Sequence, residues 1–480
     1  MDAPMSKNMR TGFTGTFSIL LTCMASSLGL STTVDNAAGK EKPNFLIIVA
    51  DDVSWSDFGC MRSGCAALTP NIDRLASQGI RFNNFFCGSA QCTPLRHELF
   101  TGLLPATTGV YDNINRGRDY KNYAEYLIDL GYTVGLAGKS CPLSHQRIVR
   151  VEGFVGGCND RKPTWSLDGV RKFISSSEAA NKPFCVMIGS VHAHHPWTVG
   201  DASKTPPDGI VVPDQMVDGP ITRRCLSLHA AEVGELDNQV GAVMAMLKEL
   251  NLDQKTVLIF LSEQGKAMPN GKWSVYDYGC RALCTVRWPG TIEAGAVTDE
   301  VAMYCDILPT LVDLAGGPPP EDIDGYSLRK LLVGESRTHH RQNALMFGQK
   351  CLIQRAIRTK DFKLIWNPDR SSKYYQKEIM SNNSRKFFHK AWAEWVRRAA
   401  TDPDARAKVD HVLKHPEFEL YDIRRDPFET NNLAALPEHE QRVKQMFEDL
   451  TTRLTKLNDP LLKKHTPPRT KRIPRETIDD

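Results

Sequence analysis

The stretch NFLIIVADD, residues 44–52, carries six consecutive apolar residues and ends in two aspartates. Strands that are buried on both faces of a parallel sheet read as continuous apolar runs, whereas strands with one solvated face alternate. PFCVMIGSVH (183–192) and TVLIFLSEQG (256–265) have the same form, a short apolar run followed by polar residues. Runs of this length favour strands over helices. These segments therefore predict interior strands of a largely parallel sheet.

Helical patterns alternate with these runs along the chain. A chain in which strands and helices alternate is typical of an α/β protein with a mostly parallel sheet. We therefore predict a large mixed, mostly parallel sheet sandwiched by helices. The predicted helices are NIDRLASQGI (71–80), NYAEYLIDLGY (122–132), DGVRKFISSS (168–177), residues 228–251 and VAMYCDILPTLVDLAG (301–316), and further strands are RFNNFFC (81–87) and TVGLAG (133–138).

The pattern changes after GGPPPEDIDG (316–325). QRAIRTKDFKLIW (354–366) and FELYDI (418–423) predict strands of a small antiparallel sheet, with a polar helical insertion over residues 371–415 between them. PEHEQRVKQMFEDLTTRLTKL (437–457) predicts a closing amphipathic helix. The resulting division is a larger domain over residues 43–335, a smaller α+β domain over 340–460 and a basic tail over 461–480.

Bulk properties narrow the class of protein. The 480 residues carry a net charge of only +4, so nothing requires nucleic acid as a partner. Lys7 and Arg10 precede an uncharged stretch, so residues 1–38 read as a signal peptide and linker, and we expect a protein exported to the periplasm or secreted. No other segment reads as a membrane span. The 13 cysteines show no small-domain framework, and the pairing of Cys60 with Cys65 or of Cys280 with Cys284 stays open.

Polar residues collect where the predicted strands end. In open α/β sheets, ligands bind outside the carboxyl ends of the strands. Carboxylate and amide oxygens at such ends suit Ca²⁺ or Mg²⁺. The residues at three strand ends are Asp51 and Asp52, then His192, His194 and His195, then Glu263 and Gln264. Any one such pair is more often a turn or a cap, but their coincidence indicates a cation site.

SAQCTPLRHELFTG, residues 89–102, places a single cysteine at the start of a predicted helix. Pro94 suits a first helical turn, where no amide donor is needed. Cys92 would then face the positive end of the helix, which is a place to hold an anion. Cys92 is therefore either a small cap residue or a reactive group.

These motifs together resemble a known family, the formylglycine-dependent sulfatases of the alkaline-phosphatase superfamily. The family signature Cys-x-Pro-Ser-Arg, followed by a helix that ends in Thr-Gly, stands here as CTPLR and HELFTG. The resemblance runs from Pro43 to about Leu457 through PNFLIIVADDVSWSDFGC, TPNIDRLASQGIRFNNFF, GYTVGLAGK, HHPW, VRWPG and FELYDIRRDPFETNNLA. SEQGKAMPNGKW and the C-terminal layout are most similar to the heparan N-sulfatase (sulfamidase)-like branch and its bacterial relatives.

The resemblance implies a sulfatase that acts on a sulfated carbohydrate. A formylglycine-generating enzyme would convert Cys92 to Cα-formylglycine, whose hydrate attacks sulfur, and a base would later expel the sulfate. The implied calcium ligands are Asp51, Asp52, Cys92 as formylglycine, Glu263 and Gln264. The implied catalytic residues are Arg96, which holds the formylglycine oxygen; Lys139 and Lys272, which hold the sulfate; and His194, which protonates the leaving group. The sugar, the choice between O- and N-sulfate and the oligomeric state stay open.

Three departures from the family pattern leave alternatives open. Leu95 replaces the usual Ser, and Glu263 and Gln264 each add a methylene to the usual Asp and Asn or His. Cys141 stands where the family has the histidine that helps to expel sulfate, so we expect His145, His192 or His195 to supply that base. A cysteine thiolate could also serve, but only with a lowered pKa. The alternatives are a phosphoester or phosphonate hydrolase on the same fold and a catalytically degenerate protein that binds sulfated glycan.

Overall fold

Two β-sheets organise the chain between residues 42 and 462. The computed structural model describes residues 41–61, 69–114, 117–140, 147–155, 162–339, 341–348, 353–368, 380 and 387–462. The larger sheet is formed by β1 (Asn44–Val49), β2 (Ile80–Phe86), β3 (Thr133–Gly138), β4 (Val149–Val151), β7 (Phe184–Gly189), β8 (Thr256–Leu261), β9 (Arg281–Arg287) and β10 (Ala296–Met303). β5 (Phe154–Val155) and β6 (Thr164–Trp165) form a separate short pair.

The larger sheet is mixed and mostly parallel, which confirms the predicted fold class. Its spatial order is β10-β2-β9-β8-β1-β7-β3-β4. β9 is antiparallel to both neighbours, and the other neighbouring pairs are parallel. The helices that accompany it are α1 (Pro70–Ser77), α2 (Cys92–Thr101), α3 (Pro105–Thr108), α4 (Tyr123–Asp129), α5 (Asp168–Ala179), α6 (Pro220–Glu249), α7 (Asp277–Cys280), α8 (Ile307–Leu314) and α9 (Arg329–Leu332).

The apolar run of β1 is buried on both of its faces. Successive side chains of a strand point to opposite faces of the sheet. Phe45 and Ile47 belong to one hydrophobic cluster, with residues of α2, α4 and α8, while Leu46 and Ile48 belong to another, with residues of α1, α5 and α6. Burying each such side chain contributes roughly 1.5–3 kcal/mol, so β1 anchors both layers.

The second sheet is small and antiparallel, as the sequence predicted. It contains β11 (Ala344–Phe347), β12 (Arg355–Arg358), β13 (Phe362–Trp366) and β14 (Phe418–Asp422) in that order. Between β13 and β14 lie α10 (Phe387–Arg398) and α11 (Pro403–Leu413), which are the described helices of the predicted insertion. α12 (Glu440–Lys456) packs on β12 and β13, and α10 packs on α6.

The helix predicted over residues 301–316 is wrong at its start. Val301, Ala302 and Met303 are the end of β10 and pair with β2, and α8 begins only at Ile307 after a short 3-10 turn. Sheet pairing with β2 overrides the helical apolar spacing, because it supplies backbone partners on a buried edge.

The structure describes only part of the segments for which a signal peptide, a basic tail and cysteine pairs were predicted. The predicted signal peptide and all but the first two residues of the basic tail lie outside the described residues. In the described part of the chain, no helix has both the length and the apolar composition needed to traverse a bilayer. Cys60, Cys280 and Cys284 are free thiols, so Cys280 and Cys284 are not bridged, and Cys65 lies outside the described residues.

Candidate active site

Four parallel strands end at one edge of the larger sheet. Val49 at the end of β1 pairs with Gly189 of β7 and with Leu261 of β8. Gly138 at the end of β3 also pairs with Gly189. This register brings together the polar residues that follow each strand, where α/β sheets bind ligands. They are Asp51 and Asp52 after β1, Lys139 after β3, His192, His194 and His195 after β7, and Glu263 and Gln264 after β8.

The two aspartates are fully buried and turn the chain at the end of β1. Asp52 has a φ of 60°, a left-handed conformation that costs roughly 1–3 kcal/mol and is common at functional sites. Neighbouring elements hold the turn. The Asp51 amide donates to the His192 carbonyl at 3.0 Å, and Nε2 of His229 on α6 donates to the Asp52 carbonyl at 3.0 Å.

Two lysines neutralise these carboxylates. Lys139 Nζ lies 2.5 Å from Asp51 Oδ2, and Lys272 Nζ lies 2.6 Å from Asp52 Oδ1. Burial by itself would raise the pKa of Asp51, but Lys139 and then His194 outweigh it and hold the pKa well below the ordinary carboxyl range. The pKa of Asp52 is lowered in the same way, with Lys272 the largest opposing charge to burial. Both carboxylates are therefore ionised at neutral pH.

Cys92 lies at the centre of this group, as the first residue of α2. Its Sγ is 3.7 Å from Asp51 Oδ1 and 3.8 Å from Nε2 of Gln264. The Thr93 amide in the same turn donates to Oδ1 of Asn113 at 3.0 Å, which orients the start of the helix. Burial raises the pKa of the Cys92 thiol to about 12 in spite of Lys139 and Lys272. The unmodified side chain is therefore a neutral thiol and a poor nucleophile.

Arg96 and Glu263 form a buried ion pair below Cys92. Nε of Arg96 donates to Oε1 of Glu263 at 2.7 Å, and the Asp52 amide donates to Oε2 of Glu263 at 3.3 Å. Glu263 has a φ of 70°, and the Tyr304 hydroxyl hydrogen-bonds both its amide and its carbonyl. Each carboxylate oxygen of Glu263 thus accepts one hydrogen bond and keeps a further lone pair for a cation. Gln264 instead donates from Nε2 to Oδ1 of Asp52 at 2.5 Å.

His194 completes the group from the loop after β7. Its Nε2 lies 3.6 Å from Asp52 Oδ2, and its Nδ1 lies 2.8 Å from the His195 carbonyl. A carbonyl only accepts hydrogen bonds, so Nδ1 is the donor, and Nε2 is the nitrogen that faces Asp52 and the rest of the site. Glu232 of α6 steadies the same loop by accepting from the amides of Thr198 at 2.6 Å and Val199 at 3.1 Å.

The donor set fits a hard divalent cation. One ligand atom each from Asp51, Asp52, Cys92 and His194 lies within 4.8 Å of the other three. Asp52 Oδ2 and Gln264 Oε1 are buried and accept no hydrogen bond from the described residues. Orphaned buried oxygens are costly unless an ion or a water satisfies them. Oxygen donors beside two ionised carboxylates suit Ca²⁺ or Mg²⁺ rather than a soft metal.

The structure thus brings together every predicted site residue that it describes. These are Asp51, Asp52, Cys92, Arg96, Lys139, His194, Glu263, Gln264 and Lys272. Cys141 and His145 lie outside the described residues. Among the residues that contact the site, sequence reasoning missed His229, Glu232, Tyr304 and Asn113. A histidine and a glutamate three residues apart on the buried face of a predicted helix were the available signal for His229 and Glu232.

The sheet order and the polar residues at its carboxyl edge define an α/β protein of alkaline-phosphatase-like fold with a candidate cation site. Within that class the chain belongs to the sulfatase family, because the Sulfatase family model matches residues 43–317, more than half of the chain. A second model, described as N-sulphoglucosamine sulphohydrolase, C-terminal, matches residues 270–383. The predicted family is therefore confirmed, and the protein is a sulfuric ester hydrolase.

Curated relatives agree with this family, and a solved structure agrees with the fold. The chain is 28% identical to an ulvan-active sulfatase of Formosa agariphila over 86% of this chain and 80% of that protein. It is 27% identical to arylsulfatase A of Homo sapiens over 84% of this chain and 87% of that protein. A structure solved in complex with its substrate D-glucosamine-2-N,6-O-disulfate superposes with a TM-score of 0.64 at 18% identity, covering 87% of this chain and 99% of that one.

Proposed function

We propose that the protein removes sulfate from a sulfated carbohydrate, with formylglycine at position 92 as the nucleophile and one Ca²⁺ at the strand ends. The observation that carries the proposal is the placement of Cys92, whose Sγ lies within 4 Å of both Asp51 and Gln264, in a group that includes the buried Lys272 and the partly buried Lys139. A neutral, buried thiol has no evident use there as a thiol. A gem-diol made from the same side chain would lie against the ionised carboxylate and the amide.

The residues that would hold Ca²⁺ are Asp51, Asp52, Glu263, Gln264 and position 92. Bound there, the cation would supply positive charge that stabilises the attacking oxygen. The three site carboxylates are matched by Lys139, Lys272 and Arg96, so a divalent cation would leave a surplus of positive charge. That surplus favours an anionic sulfate ester, and the field is strong because the site is buried.

The chain's own groups divide the remaining work. Lys139 and Lys272 are the cations that would hold the sulfate oxygens, where preorganised charge stabilises the transition state. Arg96 positions the ends of three strands by donating hydrogen bonds to Glu263, to the Lys139 carbonyl and to the Ala50 carbonyl. His194 would give its Nε2 proton to the oxygen of the departing alcohol.

The base that expels sulfate from the covalent intermediate is assigned to a histidine, since Cys141 replaces the usual one. The candidates are His145, His192 and His195. His192 has Nδ1 3.6 Å from Oε2 of Glu232, and the His195 ring lies 4.4 Å from the His194 ring. The neighbouring Glu232 carboxylate would orient the His192 ring, which favours His192 among the three on geometric grounds.

The names of the relatives support the proposed substrate class, and the N-terminal sequence supports the proposed localisation. By name, the relatives act on ulvan and on N-acetylgalactosamine 6-sulfate, and one solved neighbour holds a disulfated glucosamine. A sulfated carbohydrate is the class that these share. The proposal includes export to the periplasm or secretion, directed by residues 1–38, and maturation by a formylglycine-generating enzyme.

The decisive experiment follows Cys92. Protein produced with a formylglycine-generating enzyme should show the mass of an aldehyde at position 92 and should release sulfate from sulfated mono- and disaccharides. Cys92→Ala should abolish release while it retains the wild-type melting temperature. Cys185→Ala, a buried cysteine on β7, is the matched control for loss of a thiol. Full activity in Cys92→Ala would overturn the proposal.

A further inference from the structure

The insertion helix α10 reaches the loop that carries His194. Phe388, near its start, is fully buried and presents its ring edge-on to His195, with 5.2 Å between ring centroids and 80° between planes. The same ring lies 6.1 Å from that of Trp197. Edge-to-face aromatic pairs at such distances are worth roughly 0.5–1.5 kcal/mol beyond burial. Phe388 therefore contacts the loop at His195 and at Trp197, the two residues that flank Pro196.

His195 in turn holds His194. The two rings lie 4.4 Å apart with 30° between their planes, and Nδ1 of His194 lies 2.8 Å from the His195 carbonyl. This places Nε2 of His194 on the side of Asp52 and the carboxylate cluster. The orientation of the His194 ring thus depends on where His195 lies, and His195 is backed by Phe388.

The helix that carries Phe388 is itself anchored to the scaffold. Glu394 of α10 accepts from the amides of Ile221 at 3.2 Å and Thr222 at 3.0 Å, in the first turn of α6. Trp395 of α10 donates from Nε1 to Oγ1 of Thr222 at 2.8 Å. A carboxylate at a helix N-terminus satisfies free amides and interacts favourably with the helix dipole. Because Glu232 of α6 accepts from loop amides and Phe388 of α10 packs on His195, both helices contact the loop that carries His194.

We propose that Phe388 is a positioning residue for His194, acting through the ring of His195, so that the insertion controls how well poor leaving groups are protonated. This inference rests on the proposed function. As an oxygen of the hydrated formylglycine at position 92 bonds to sulfur, the bond between sulfur and the alcohol oxygen breaks. Its electron pair stays on the alcohol oxygen, and the Nε2 proton of His194 moves to that oxygen. An alcohol that is a weak acid needs this proton, whereas a nitrophenolate leaves without it.

The test compares two sulfate esters that differ in the acidity of the leaving group, phenyl sulfate and 4-nitrophenyl sulfate. Phe388→Leu should lower kcat/KM for phenyl sulfate on the order of tenfold, a part of the roughly 10²–10⁴-fold that general acid catalysis contributes. It should leave 4-nitrophenyl sulfate within about twofold, because that ester needs little protonation. Phe388→Tyr, which keeps the ring, should retain the wild-type ratio.

The ratio of the two rates does not depend on the fraction of folded protein, so partial unfolding of a variant cannot imitate the effect. Phe447→Leu on α12 is the matched control, because it removes a ring contact to Phe418 in the small sheet. Equal losses on both esters, or no loss, in Phe388→Leu would overturn the inference alone. Wild-type protein with formylglycine that releases no sulfate from either ester or from sulfated mono- and disaccharides would overturn the proposed function, and the inference with it.

Discussion

Arg96 ties three strand ends together through one guanidinium, and its shortest contact is the 2.7 Å hydrogen bond from Nε to Oε1 of Glu263. Nη1 donates to the Lys139 carbonyl after β3 at 3.1 Å, and Nη2 donates to the Ala50 carbonyl after β1 at 3.2 Å. The planar fork of arginine suits three fixed acceptors, whereas lysine offers a single ammonium. Arg96, which the family resemblance places next to the nucleophile, therefore also holds the ends of three strands together.

Arg96→Lys should destabilise the fold and impair sulfate release together. Lysine keeps the positive charge, but its single ammonium cannot reach all three acceptors, and a buried acceptor left without a hydrogen bond costs about 1–3 kcal/mol. Urea denaturation measures the loss in the free energy of unfolding. Arg171→Lys is the control, since its pair with Glu249 is exposed and contributes at most about 1 kcal/mol. Equal losses in the free energy of unfolding for the two substitutions would contradict this structural role of Arg96.

Calcium should raise the melting temperature of the protein. A ligand that binds only the folded state stabilises it by about 2.7 kcal/mol at a concentration of 100 Kd. Asp52→Asn should weaken this shift, because it removes a charge and one of the two orphaned acceptors. Asp208→Asn, on the surface, should leave the shift unchanged. An elemental analysis that finds no metal in active, carefully prepared protein would rule out the calcium site.

Turnover tests the base that expels sulfate. We predict that protein with modified Cys92 releases many equivalents of sulfate, with a histidine as base in place of the usual family residue. His192→Gln or His195→Gln should then lower kcat, and intact-protein mass should show a sulfated adduct accumulating after one fast equivalent of product. If the wild-type protein already stops at that adduct and Cys141→His restores turnover, the native protein has no base that can expel sulfate, and the prediction is wrong.

Acid should remove a defined part of the stability through Asp306, which pairs with Arg341 at 2.5 Å. Burial opposes ionisation of Asp306, but Arg341 outweighs it and lowers the pKa of Asp306 from 3.8 to about 2. A carboxylate with a lowered folded-state pKa stabilises the fold above its unfolded pKa. Its contribution, roughly 2–3 kcal/mol, should disappear as the pH falls from about 4 towards 2.

Urea unfolding at a series of pH values measures this dependence. The double variant Asp306→Asn/Arg341→Met removes the carboxylate and avoids leaving the guanidinium buried without a partner. Its free energy of unfolding should change less than that of the wild-type protein between pH 4 and pH 2. Parallel curves for the two proteins would show that Asp306 does not carry the acid sensitivity.

Much of the fold was predictable because the signals are local. The apolar runs of β1, β7 and β8 and the spacing of most helices identified the α/β sheet from short windows of sequence. The local pattern at Val301–Met303 predicted the start of a helix, but these residues form a strand because they pair with β2. β11 carried a run of only four residues, ALMF, and was not predicted, since so short an apolar segment has no distinctive period.

The sequence by itself determined which polar residues follow which strands, and the motif around Cys92. Only the tertiary structure decided which of them meet. Arg96 reaches Glu263 across 167 positions, and Phe388 of the insertion reaches His195 from another layer. The physical reason is that hydrophobic periodicity is a local property of a few consecutive residues. A polar contact depends instead on strand register and on how distant elements pack, to within an ångström.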